Sequence, residues 1–389
     1  MFAVFALPRK VAIVSLALLA MLLLAACDQI AGGGPTINTD KPVPVALLVP
    51  QSSAQSGDAI LARSLENSAR LAMADLNGVQ IDLRVYDTGG NAATAAAQAT
   101  QAVNDGAQII LGPVYAEAAN AVGVAVRGKN INVLSFSNNP SIAGGNVFIL
   151  GQTFSTAAER LTQYASAAGK GKIVIVHGND LSGQLGRDAI KTAIAGSRAT
   201  LVGSVPYELS QQSVIATVPS VRSAVENGGA TSLFLTATTA GALPLFTQLL
   251  PESGVSPETT QYIGLTRWDI PPQTLALPGV QGGWFALPDP AKTQQFKSRY
   301  AAAYGGSPHP IGGLAYDGVA AIGALVGAGK SDALTGAALT QGAGFQGVGG
   351  IFRLRPDGTN DRGLAIATIR NKQVVVIDPA PRSFSGAGF

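Results

Sequence analysis

Cysteine is almost missing from this chain: Cys27 is the only one in 389 residues. No intrachain disulfide can form, so the fold must rest on its core alone. Histidine is nearly as scarce, with His177 and His309 far apart in sequence. No His/Cys metal spacing exists, which excludes a zinc-type site. His177 ends a strand and reads as a core or cleft-edge residue. His309 stands between two prolines, in a surface loop. Charged residues make up only 13%, about half the usual share. Glycine and alanine fill the difference, which suits close packing of helices on sheets. No long basic run occurs, so neither nucleic acid nor an anionic surface is implied as a partner. Past the N-terminal segment, no apolar run approaches 18 residues without a glycine or polar break, so no further membrane span is expected.

Catalytic patterns are missing as well. No G-x-S-x-G elbow is present. Gly342-Ala343-Gly344-Phe345-Gln346-Gly347 has the form G-x-G-x-x-G, but it precedes a strand instead of opening a helix. Gly329-Lys330-Ser331 imitates the end of a phosphate-binding loop, but Ala324 stands where the first glycine belongs. No nucleophile stands with a base in any recognisable motif. Neither catalysis nor a cofactor is expected.

What is present begins at the N-terminus. Arg9 and Lys10 precede the apolar run Val11–Ala26, which is broken only by Ser15 and closed by the small Ala25 and Ala26. This run is short for a membrane span, which needs roughly 20 residues. Residues 1–26 therefore read as a secretory signal peptide. Leu24-Ala25-Ala26-Cys27 resembles the bacterial lipobox, which implies that Cys27 becomes the acylated first residue of a lipoprotein. A single acyl chain such as palmitate binds a membrane only marginally, so a stable anchor takes two or three. Asp28 resembles the inner-membrane retention signal of enteric bacteria; the choice between inner and outer membrane stays open. Residues 27–42 read as the lipidated N-terminus and a flexible tether, rich in Gly, Pro, Thr and Asn and without apolar period.

Removal of the signal leaves 363 residues, with 24 basic against 23 acidic groups. That length suggests two lobes rather than one core. Apolar runs alternate with helical spacing throughout. Strands are expected at 43–50, 81–88, 107–113, 131–137, 172–177, 199–207, 232–237 and 261–265. Helices are expected between them, at 61–76, 92–104, 116–127, 156–168, 185–195, 214–227 and 243–250. The region 280–287, two further helices (293–304 and 314–327) and a hairpin at 364–378 with its turn at Arg370–Lys372 close the chain. Near-continuous apolar strands alternating with amphipathic helices mean an α/β fold with parallel sheets covered on both faces.

The ordered set VPVALLVPQSS, RVYDTGGN, IILGPVYAEAA, INVLSFSNNP, AYDGVAAI and GGIFRLRPDGTN resembles the type I periplasmic-binding-protein fold, nearest its leucine/isoleucine/valine-binding class. The resemblance covers about Val43–Asp378. It implies two Rossmann-like lobes joined by three crossovers, with ligand held in the cleft. Lobe 1 would comprise 43–152 and 279–330, and lobe 2 would comprise 153–278 and 331–389.

In open α/β sheets, ligands sit beyond the carboxyl ends of the strands. Those ends carry Gln51, Ser52, Tyr115, Ser135, Ser137 and Asn138 in lobe 1. In lobe 2 they carry Asp180, Ser182, Thr238, Arg267, Trp268 and Asp269. Members that bind amino acids resemble one another in a lobe-1 Ser/Thr set, for which Ser135, Ser137 and Asn138 are the counterparts. They also carry an aromatic, usually tyrosine, in the lobe-2 loop where this chain has Ser182. The acidic partner for an ammonium has only Asp269 as a candidate. The combination of lipobox, tether, fold and RVYDTGG also resembles the lipoprotein activators of class A penicillin-binding proteins, although the N-terminal helical-repeat domain of some members is missing. Two readings follow. One is a non-enzymatic module that stimulates a peptidoglycan synthase. The other is a receptor that delivers a small polar solute, such as an amino acid, to an ABC permease.

Overall fold

Apolar runs bracketed by proline and glycine set the frame. Val43–Val49 forms β1 and is buried along its length except at Pro44. A strand hidden on both faces needs helices on both sides, and the following segments supply them. The computed structural model describes residues 33–384; the signal segment, Cys27 and Asp28 lie outside the described residues.

The first sheet contains β1, β2 (Ile81–Asp87), β3 (Ile109–Leu111), β4 (Val133–Ser135) and β5 (Val147–Ile149). Their order is β2-β1-β3-β4-β5 and every pair is parallel. Helices α1 (Asp58–Met73), α2 (Ala92–Asn104) and α3 (Ala116–Val126) alternate with these strands. Asn91 caps α2 by accepting from the Ala93 and Thr94 amides. On one face, Leu65 and Ala69 of α1 pack with Val319 and Ile322 against Leu47 and Leu111. On the other, Ala95, Ala99 and Val122 pack against Ala46, Leu48 and Ile110. Small helix residues let the helices sit close to the sheet.

The second sheet contains β6 (Lys172–Gly178), β7 (Thr200–Tyr207), β8 (Ser232–Leu235), β9 (Gln261–Gly264) and β10 (Trp284–Pro288), followed much later by β14 (Leu364–Arg370) and β15 (Gln373–Asp378). Its order is β15-β14-β10-β9-β8-β6-β7. The strands β6 to β10 run parallel, and β14 and β15 join antiparallel. Asn371 and Lys372 both take positive φ, at 51° and 62°, as a tight two-residue hairpin turn requires. Helices α4 (Phe154–Ala167) and α5 (Leu181–Ala195) cover one face. The other is covered by α6 (Gln211–Gly228) and α7 (Leu243–Glu252).

The remaining elements return to the first lobe. Phe296 and Tyr300 of α8 (Pro290–Tyr304) pack on Leu71 of α1. The helix α9 (Gly313–Gly327) supplies Val319 and Ile322 to the first core. A small antiparallel sheet of β11 (Phe345–Gly347), β12 (Gly350–Leu354) and β13 (Asn360–Arg362) adds Phe345, Phe352 and Leu354 to that core.

These pairings correct the expected lobe boundaries. Residues 284–288 were expected in lobe 1, but they are hydrogen-bonded between β9 and β14. Residues 331–362 were expected in lobe 2, yet Leu334, Leu339 and Phe352 are buried in the first core. The chain thus passes between lobes near Leu150–Thr153, at Pro288–Pro290 and at Arg362–Leu364. Those are three passages of the chain between the two sheets. The tether is also corrected. Ile37 is buried in the first core and its amide donates to Ser331 O at 2.8 Å. The Asn132 side chain holds Gly33 O at 2.9 Å and Leu334 O at 2.8 Å. The described end of the tether is docked because it contains one large apolar side chain to bury.

Candidate functional site

The cleft-facing edge of lobe 1 is built from the loops after β1, β2, β3 and β4. Gln51 and Ser52 are exposed there. The Ser52 amide donates to Asp87 Oδ1 at 3.1 Å and the Gly89 amide donates to the same oxygen at 2.9 Å. Burial works against the Asp87 carboxylate, but these donors and the Ser52 hydroxyl hold its pKa below the ordinary value. Tyr115 precedes α3, and its phenol donates to Asp58 Oδ1 at 2.6 Å. Burial and the adjacent Asp58 push Tyr115 up to about 12.

Asp58 went unrecognised in the sequence. It is the first residue of α1 and is buried, and its second oxygen, Oδ2, has no hydrogen-bond partner among the described residues. The only signal was its place after Gly57, whose φ of 94° ends the loop. The helix begins three residues before its apolar spacing does.

Ser135 and Ser137 do not present a free grip. Ser135 is fully buried; its hydroxyl donates to Pro113 O at 3.0 Å and accepts from the Ser137 amide at 3.1 Å. The Ser137 hydroxyl accepts from the Asn139 amide at 3.1 Å. Both side chains organise their own loop. Asn138 beside them is exposed.

In lobe 2, Asp180 precedes α5 as its N-cap residue without a side-chain cap bond, and Ser182 and Thr238 are exposed. Arg267 and Asp269 face each other through two bonds, Nε to Oδ1 at 2.9 Å and Nη2 to Oδ2 at 2.5 Å. The acidic candidate Asp269 is therefore already paired within its own loop. Trp268 requires a correction. It was expected at the cleft, but it is fully buried in the core beneath α7 and β10. Its indole fits because Gly264 and Gly283 have no side chains. A Cβ at Gly264 would stand 2.2 Å from Nε1, and one at Gly283 would stand 2.2 Å from Cζ3. The aromatic at this edge, Tyr207, is likewise buried, edge-on to Phe246 at 4.9 Å.

Other side chains do face outward along the same edge. Leu181 is 74% exposed and Leu209 is 63% exposed, with Leu185 and Ile270 also open. They follow β6, β7 and β9. The Thr239 hydroxyl donates to Ile270 O at 2.7 Å and ties the loops after β8 and β9 together. From Leu209 a groove of about 980 Å³ runs between α6 and α7, past Leu245 and Pro251 to Pro257.

His177 lies at the carboxyl end of β6, buried, with Nδ1 3.0 Å from Gly178 O. Burial lowers its pKa, against the pull of that carbonyl. Burial lowers His309 too, against the pull of Asp58. Both are harder to protonate in the fold than in the unfolded chain, which takes up protons as pH falls through about 6.5. The unfolded state then binds more protons, so stability falls as pH drops below that value. We expect His177→Gln to flatten the loss between pH 7 and pH 5. Urea midpoints at the two pH values measure it, and an unchanged difference would rule His177 out as a contributor.

A profile of the periplasmic binding protein family matches residues 42–373. The chain belongs to that family. Its fold is also that of solved structures across nearly the whole chain. A Rhodospirillum rubrum protein provisionally named as a branched-chain amino acid ABC transporter aligns with a TM-score of 0.71 and 20% identity, covering 87% of this chain and 100% of that one. A periplasmic ligand-binding protein of a branched-chain amino acid ABC transporter from Burkholderia xenovorans aligns with a TM-score of 0.65 and 18% identity, covering 88% and 97%. The substrate-binding protein LivJ of Streptococcus pneumoniae, solved with isoleucine, gives 0.55 and 16%, covering 87% and 100%. At such identities the likeness establishes the fold, which is the type I arrangement of two α/β lobes. An uncharacterized protein of Rickettsia prowazekii is 24% identical over 154 residues. The chain spans about two fifths of the length of that curated relative. The family is periplasmic by description, and among the described residues no helix is long and apolar enough to cross a membrane.

Proposed function

We propose that this chain is a non-enzymatic lipoprotein, anchored through Cys27 at the periplasmic face of a bacterial membrane, that activates a class A penicillin-binding protein. The observation that carries this reading is the state of the cleft edge. The lobe-1 hydroxyls that would grip an amino acid are bonded to their own backbone, Ser135 as donor and acceptor and Ser137 as acceptor, while lobe 2 turns Leu181, Leu185, Leu209 and Ile270 outward. A small polar solute is held by convergent polar groups in an enclosed pocket. Exposed apolar side chains rimmed by polar ones instead mark a protein-binding surface. The choice of a peptidoglycan synthase as partner rests on the resemblance of the lipobox, tether and RVYDTGG segment.

One observation favours a second reading, a solute receptor for an ABC permease. Asp58 Oδ2 is a buried acceptor without a partner beside the lobe-1 edge, and an amine would satisfy it. The two readings separate in one pair of measurements on the full lipidated chain in detergent. Under the activator reading, amino acids, polyamines and muropeptides leave the melting temperature unchanged, and a class A penicillin-binding protein of the host co-purifies. Leu181→Ser with Leu209→Ser then weakens that complex by about ten-fold or more, as loss of buried apolar anchors does. A saturable rise in melting temperature with an amine, abolished by Asp58→Asn, would establish the receptor reading instead.

A further inference from the structure

The groove between α6 and α7 is polarised. At its cleft end stand Leu209 and Val214, and its floor includes Leu245 and Pro251. At its far end stand Glu252 and Glu258, both exposed. No lysine, arginine or histidine is among the described residues that line it. Glu252 is also the last residue of α7, where the helix has no basic side chain in its final turn. The carbonyl end of a helix carries partial negative charge and favours a cation. An acidic residue placed there, with a second nearby, is locally unfavourable and is complemented by a positive charge brought to the groove.

We infer that this groove receives an amphipathic helical segment of a partner protein, with apolar residues at i, i+3 or i+4, and i+7 laid along Leu209, Leu245 and Pro251. A lysine or arginine at one end of that segment meets Glu252 and Glu258. Helix-in-groove docking uses this combination of an apolar face and flanking charge. Charge at the rim sets orientation and partner choice more than affinity. The inference rests on the reading of the chain as a protein-docking module, and it adds where the partner sits and what chemistry it presents.

The test is site-specific photocrosslinking in the host. The full lipidated chain carries p-benzoylphenylalanine in place of Gln248, which is exposed in the middle of the groove. Mass spectrometry maps the adduct to a partner peptide. The expected result is an adduct on an apolar segment flanked by Lys or Arg, with its yield falling at least five-fold in Glu252→Lys with Glu258→Lys. Both substitutions are at exposed positions, and a urea midpoint no lower than the parent's confirms that this variant folds. Three results would overturn the inference: no adduct from chain shown to carry the probe, an adduct segment without basic residues, or a yield indifferent to the charge reversal. The identity of the partner tests the activator reading separately. A groove adduct of the expected chemistry on some other protein would retain the docking site and reject the penicillin-binding protein as its occupant.

Discussion

Arg362→Met is expected to destabilise this protein by about 3–5 kcal/mol, the usual consequence of leaving a buried charge without its partner. The reason lies in AYDGVAAI, a segment that carried the family resemblance. Asp317 is 1% exposed inside lobe 1. Its Oδ1 accepts from the Val348 amide at 2.8 Å and its Oδ2 accepts from Arg362 Nη1 at 2.9 Å. The same guanidinium donates to Leu150 O through Nε at 3.1 Å and Nη2 at 2.5 Å. Leu150 begins the first crossover and Arg362 the third, so one ion pair holds two interlobe strands to the lobe-1 core. Asn360 adds bonds from its side chain to Ile149 O and Gly151 O, each at 2.9 Å.

A double-mutant comparison isolates the cause. Asp317→Asn keeps the acceptor for Val348 and the volume. It must, because a Cβ on the facing Gly347 would already come within 2.4 Å of Asp317 Oδ1. The pair Arg362→Met with Asp317→Asn should therefore be more stable than Arg362→Met alone, by at least about 1 kcal/mol. The pH dependence gives a second check. Burial pushes the Asp317 carboxyl above its ordinary value, while Arg362 and the Val348 amide draw it down. Without Arg362 the folded state holds that proton more tightly than the unfolded state does. The single variant should then gain stability relative to the double variant as pH falls from 7 toward 5. Urea midpoints across that range measure it. A single variant as stable as the parent at pH 7 would mean that the pair contributes nothing to the hinge.

Much of this fold was legible because its strands are buried on both faces. Runs such as Val43–Val49 and Ile173–Val176 leave no other reading once proline, glycine and helical spacing bracket them. What escaped was short or non-local. β5, β11 and β13 have three residues each; β3 and β4 are as short but each follows a well-marked helix, which made them readable. β10 looks like any other apolar strand; only its partners β9 and β14 assign it to lobe 2, and β14 lies some 80 residues further on. The docked end of the tether escaped for a similar reason, since Ile37 is a single apolar residue among polar ones. At the cleft, residue type was a good guide to position and a poor guide to role. Ser135 and Ser137 stand on the expected edge, but a hydroxyl near a strand end is as ready to satisfy its own backbone as to meet a ligand.

Trp268→Ala is expected to cost about 3–5 kcal/mol, the range for removing a large buried aromatic, and to act on stability without acting on binding. The residue sits in a polar sequence, Thr266-Arg267-Trp268-Asp269, which on its face suggests a binding loop. Its indole instead turns inward over the flat shelf that Gly264 at the end of β9 and Gly283 just before β10 provide. The register pairs Gly264 with Phe285 and Ile263 with Trp284, which brings Gly283 alongside. The sequence held that signal in the two glycines, but it becomes visible only once β9 and β10 are paired. Neighbouring Arg267 supplies the control. It is about one-third exposed and, among the described residues, bonded only to Asp269, so Arg267→Ala should change stability by no more than about 1 kcal/mol. Gly283→Ala should behave like the tryptophan variant, because a methyl group there overlaps the ring and overpacking costs about 1–3 kcal/mol. Urea denaturation of the three variants decides the matter. A Trp268→Ala protein of normal stability that had lost its partner would return Trp268 to the binding surface, and a Gly283→Ala protein of normal stability would mean that the ring has room to move.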